Sequence, residues 1–166
     1  MTRLQLLLAL CVAFFSNVNA YTNTRCYRIN EKGVLDLFKQ WTDAIVTSNP
    51  SNAVELYWDQ SVLIPTLSHT LLSDNQKKLD YYSKFMLRSP TVKITEQFID
   101  TSGCNLATFN GQYLLTITDP ASGEQTTIPS HFSIAYETYD GNLWAIKQHH
   151  MSTRPNPEAL DDDNSS

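Results

Sequence analysis

Apolar residues recur at helical spacing in the first half of the chain and at strand spacing in the second. From Asn30 to about Ser48, Val34, Phe38, Trp41 and Ile45 return every three or four positions, which predicts an amphipathic helix. Asn30 is suited to cap that helix, and Asn49-Pro50 ends it. Ser51 is placed to cap a short second helix, Asn52 to Tyr57, ahead of a brief strand from Val62 to Pro65. A polar loop, Thr66 to Leu72, leads to a third helix. There Ser73 and Gln76 have capping-box spacing, and Leu79, Tyr82 and Met86 share an apolar stripe.

From Thr91 the period changes to two. The runs Thr91–Asp100, Leu106–Thr118, Gln125–Tyr139 and Asn142–Ser152 read as four antiparallel strands. Turns are marked between them by Asp119 to Gly123 and by Asp140-Gly141. Helices first and strands afterwards predict an α+β fold, with three helices packed on one face of an antiparallel sheet.

Strict alternation along the last strand puts Trp144, Ile146, Gln148, His150 and Ser152 on one side, and Lys147, His149 and Met151 on the other. The first set begins apolar and ends with an imidazole and a hydroxyl two residues apart. Such a face suits the lining of a small reaction pocket; a hydrogen-bonded histidine at a sheet edge is the plainer reading. In the preceding strand Ile128, Phe132, Ile134 and Tyr136 form an apolar face. His131, Ser133 and Ala135 make an opposite face too weakly polar for free solvation, which predicts a homodimer through the sheet.

The termini look different from this body. Arg3, the apolar stretch Leu6 to Phe15 and the small-residue end Val18-Asn19-Ala20 predict a signal peptide over residues 1–20 and therefore export. The apolar stretch is short of the roughly 20 residues that span a bilayer. The domain is expected over 21–155, and the charged tail 156–166, which lacks apolar anchors, is expected to be disordered. Asn164 begins a glycosylation sequon that counts only in a eukaryotic host. The net charge is −5; loss of Arg3 with the leader leaves 11 basic against 17 acidic residues, or −6. A mildly acidic chain without a basic cluster argues against nucleic-acid and anionic-membrane partners. Cys11 leaves with the leader, so Cys26 and Cys104 read as one disulfide in an oxidising compartment, worth about 2–4 kcal/mol. A free, nucleophilic Cys104 is the alternative.

Several local sequences carry a family likeness: Leu37 to Ala44, Val62 to Ser68, Asp80 to Phe85, Gly103 to Asn105, Gly111 to Tyr113 and His149 to Pro155. They resemble, in order, the SnoaL-like or nuclear-transport-factor-like cone fold, in the branch homologous to the calcium/calmodulin-dependent protein kinase II association domain. The terminal His149-His150-Met151-Ser152, followed by Pro155, is similar to the His-His-Ser-Ser motif of the iota class of carbonic anhydrases, and the cysteine positions are similar too. That resemblance implies reversible hydration of carbon dioxide to bicarbonate. By motif, its bicarbonate-holding threonine, tyrosine, histidine and serine would be Thr66, Tyr81, His150 and Ser152. Tyr82, His131, Tyr113 and Trp144 would line the same pocket, with Tyr82 an alternative to Tyr81. Two positions depart from the pattern. Met151 replaces the motif's first serine, on the face that alternation turns away from the pocket, and His131 stands where relatives carry arginine.

In this reading His150 is the base, its ordinary pKa near 6.5 suiting proton transfer at neutral pH, and the hydroxyls are the oxyanion donors. His149 and His150 diverge on a strand and cannot share one ion, and no His-x-x-x-His helix or Cys/His cluster occurs. A metal-free site is favoured, with zinc or manganese as the alternative. Two rivals are an isomerase or cyclase of the same fold, which wants a carboxylate base such as Asp59 or Asp80, and a non-catalytic binding or assembly module.

Overall fold

The computed structural model describes residues 25–66 and 68–154. The expected leader, the acidic tail and the Asn164 sequon lie outside the described residues.

Three helices and five strands follow one another in the order α1 (Glu31–Ile45), α2 (Pro50–Val54), β1 (Tyr57–Ile64), α3 (Asn75–Met86), β2 (Thr91–Asp100), β3 (Leu106–Thr118), β4 (Gln125–Thr138) and β5 (Trp144–Thr153). Asn30 caps α1 as expected, its Oδ1 accepting the Gly33 amide at 2.8 Å, and Val34, Phe38, Trp41, Ala44 and Ile45 form the buried stripe. Helix α2 starts earlier than expected. Its cap is Asn49, which accepts from the Ser51 amide, and Pro50 takes the first turn, where its fixed φ and missing N–H cost nothing. Tyr57 consequently opens β1 instead of closing a helix. In α3 the cap is Asp74, accepting from Lys77 N, and Gln76 donates forward to Asp80 and not back to Ser73. The inward stripe of α3 is Lys78, Tyr82 and Phe85, with Leu79 and Met86 at its flanks.

The sheet order is β1-β5-β4-β3-β2. The expected antiparallel meander is present from β2 to β5, and β1 joins its edge parallel to β5. The helices cover one face, where Phe38, Trp41, Phe109, Phe132, Tyr113 and Ile134 meet in an aromatic-rich core. Cys26 and Cys104 are bonded. Beside them Tyr27 and Asn105 exchange two hydrogen bonds, and the Tyr27 ring lies over Gly141 where a Cβ would collide. Gly141 has φ +82°, so the turn needs glycine twice over. No helix of the described residues is long and apolar enough to cross a membrane.

One irregularity governs the site. Tyr136 pairs with Ile146 and Ala135 with Gln148, so Lys147 is an extra residue bulged out of β5. A bulge of one residue inverts every side chain beyond it. Ile146 faces the core before the bulge, and His149 and Met151 face it afterwards, with exposures of 0% and 3%.

Candidate functional site

A chain of hydrogen bonds crosses the core from α1 to β5. Trp41 Nε1 donates to Tyr82 Oη at 2.9 Å, the Tyr82 and Tyr57 hydroxyls are 2.7 Å apart, and Tyr57 Oη lies 2.8 Å from His149 Nδ1. Indole can only donate, so the Tyr82 proton goes to Tyr57 and the Tyr57 proton to Nδ1. This is the arrangement that leaves neither hydroxyl proton orphaned. His149 is then the neutral tautomer protonated on Nε2. Burial, with a smaller effect from neighbouring His150, holds its pKa down to about 3. Burial also pushes the Tyr82 hydroxyl up to about 12 and raises those of Tyr57, Tyr113 and Tyr136. The relay is therefore uncharged at neutral pH. Among the described residues, His149 Nε2, Tyr136 Oη and Thr66 Oγ1 are buried without a hydrogen-bond partner. Each such orphan costs about 1–3 kcal/mol unless a ligand or water meets it.

The residues expected to hold bicarbonate do not come together. His150 and Ser152 lie on the outer face, opposite Ser133 and His131 of β4, and His131 is exposed. This corrects the expectation from strict alternation: the Lys147 bulge turns His149, not His150, towards the helices. Met151 moves with it, so the departure from the motif falls on the core face, where a serine would have supplied a hydroxyl and a thioether does not. Thr66 follows β1 in a turn, its hydroxyl buried. Tyr81 stacks on Phe85 at 15° and lines a cleft of about 480 Å³ between α3 and the Ser68–Leu72 segment, rimmed by Lys77, Lys84 and Arg88. Tyr82 and Tyr113 are interior, Tyr113 stacked on Phe132, while Trp144 is half-buried before the bulge, opposite Thr138. Among the described residues no three His, Cys, Asp or Glu side chains gather where a metal ion could sit.

His149 and Tyr57 are the site residues that periodicity missed. A signal for them was present in the doublets Ala145-Ile146 and Lys147-Gln148, which break alternation, and in the odd spacing between Ile146 and Met151.

No curated protein matches the chain. A solved Xanthomonas campestris protein described as a calcium/calmodulin dependent protein kinase II association domain is 28% identical, over 84% of this chain and 99% of that one, with a TM-score of 0.73. An NTF2-like protein of unknown function from Pseudomonas putida KT2440 is 14% identical over 78% and 89%, TM-score 0.63. A hexachlorocyclohexane dehydrochlorinase is 12% identical over 74% and 83%, TM-score 0.63. The last two share the NTF2-like cone fold, which houses enzymes as well as proteins of unknown function. The model of the calcium/calmodulin dependent protein kinase II association domain matches residues 30–155, and the chain belongs to that family.

Proposed function

We propose that this protein is an exported association module that pairs with a second copy of itself through the outer face of β3, β4 and β5. The supporting observation is a row running across all five strands: Phe98, Asn110, Ser133, His150 and Ile64 stand opposite one another in register. Phe98 is 67% exposed, and Ser133 donates to Asn110 Oδ1 at 2.6 Å. On one side of that row lie Thr108, Ala135, Gln148 and Val62, and on the other Gln112, His131 and Ser152; charges stand at the margins, as Glu96 and Asp100 of β2, the Glu137–Lys147 pair and Arg154 on Gln112. An uncharged centre with its charges at the rim is what a subunit contact selects for. Sedimentation velocity tests it. The wild-type chain is expected to run as a dimer at micromolar concentration. Ala135→Glu, which puts a charge in the middle of the face, should weaken that dimer at least about tenfold, equivalent to roughly 1.4 kcal/mol. A wild-type monomer at about a hundred times that concentration would remove the proposal.

A second reading is carbon dioxide hydration of the iota type, supported by the unpartnered Thr66 hydroxyl and His149 Nε2 and by Tyr81 at the cleft. In this form His149 takes the role first given to His150, at the disadvantage of a base held near pKa 3 and a missing hydroxyl at Met151. Stopped-flow hydration on metal-stripped protein decides it. Activity lost in His149→Ala and kept in His150→Ala establishes the reading, and no rate above buffer leaves the association module alone.

A further inference from the structure

Strands β1 and β5 open at one level. Four residues of β1, Trp58 to Ser61, lie between the pairs Tyr57↔Ile146 and Val62↔Gln148, and only Lys147 answers them on β5. The gap forms a cleft of about 440 Å³ lined by Asp59, Gln60, Ser61, Val62, Ser73, Lys147 and Gln148. Behind it, on the inward stripe of α3, is Lys78, a lysine with 0% exposure. Its Nζ donates to Ser61 Oγ at 2.7 Å and to Asn75 Oδ1 at 3.4 Å, and it lies 5.5 Å from the centre of the Tyr57 ring. No carboxylate reaches Lys78 at salt-bridge distance among the described residues.

A fully buried amine bonded to a serine on a cleft wall is the arrangement of a nucleophile and its base. We infer that Ser61 and Lys78 are such a pair, acting from this cleft on small uncharged carboxylic esters. Burial lowers the lysine's pKa, while Asp74 and Asp59 pull it back upward, and the base is the neutral fraction of Lys78 that burial enlarges. Neutral Nζ takes the Ser61 proton as Oγ attacks the ester carbonyl carbon. The bond to the leaving oxygen breaks, and that oxygen takes the proton back from Lys78. Water then attacks the acyl-serine with Lys78 again as base, releasing the carboxylic acid and restoring Ser61. On the facing wall Lys147 and Gln148 offer donors to the carbonyl oxygen, and Asp59 disfavours substrates that already carry a carboxylate.

The test is 4-nitrophenyl acetate on the full chain, with the acetyl adduct located by mass spectrometry after acid quench. The expected result is acetyl on Ser61, and turnover falling at least about 100-fold in Ser61→Ala, the range contributed by general-base and nucleophile chemistry. Lys78→Arg keeps the charge and the donors but not a removable proton, so it should lose turnover and the rising limb of the pH–rate profile together. Adduct mapping on the wild-type chain needs no variant to fold. Acetyl confined to Lys147 or another residue, no adduct at all, or an unchanged rate in Ser61→Ala would each overturn the inference. The outcome is independent of whether the chain dimerises.

Discussion

His149 and His150 are neighbours in sequence with almost nothing in common in space. The first is sealed in the core, edge-on to Trp41 with ring centroids 5.0 Å apart, and bonded through Tyr57 and Tyr82 back to that same tryptophan. The second stands half-buried on the outer sheet face beside Ser133, in a row of uncharged side chains. The pair shows that one side chain type serves opposite ends depending on the face it is dealt. Inside, desolvation strips the imidazole of its basicity and makes it a rigid hydrogen-bonding element. Outside, it is part of a row whose lack of formal charge suits contact with another copy.

The contrast can be broken first by truncation. His149→Ala removes packing against Trp41 and leaves the Tyr57 proton without an acceptor, and is expected to cost about 3 kcal/mol. His150→Ala should cost under about 0.5 kcal/mol when both are measured by urea unfolding in the monomeric Ala135→Glu background. Equal losses would mean that the two faces are not distinguished as described.

Acid probes the same asymmetry. Folded His149 stays neutral down to about pH 3, whereas the unfolded imidazole binds a proton below about 6.5. The unfolded state therefore holds more protons between those values. The stabilisation from keeping His149 neutral is complete above the upper limit and drains away as pH falls, by about 2–3 kcal/mol at pH 4.5. Unfolding midpoints across that range should show this slope, and His149→Phe should flatten it.

A gentler probe is Tyr57→Phe, which cuts the relay in its middle with little change in volume. It leaves the Tyr82 proton and His149 Nδ1 unmatched and should cost about 2 kcal/mol by urea unfolding. Sedimentation should be unaffected, since Tyr57 is buried away from the outer face.

Much of the architecture was legible in local pattern. The period-two runs located β2 and β3 residue for residue and β4 to within one, because a half-buried strand writes its alternation directly into the sequence. Asn30 announced the start of α1 for the same local reason, since a cap satisfies amides only two or three residues away. Short elements fared worse. At α2 and α3 neighbouring residues could each have capped, and the choice fell to Asn49 and Asp74 over Ser51 and Ser73.

The candidate site was legible only as an inventory of residues: the imidazoles, the tyrosines, Thr66 and the paired cysteines. Which of two adjacent histidines turns inward depends on Lys147 being squeezed out of the ladder, and that is settled by the register of β4 and β1 against β5. Likewise Tyr57 meets His149 across 92 positions, and Ser61 meets Lys78 because α3 lies over the edge of the sheet. Helix and strand period are properties of a chain with its own neighbours. The facing of a side chain beyond a bulge, and the partner it finds, are properties of the packed sheet, because a one-residue slip costs little locally and inverts everything that follows.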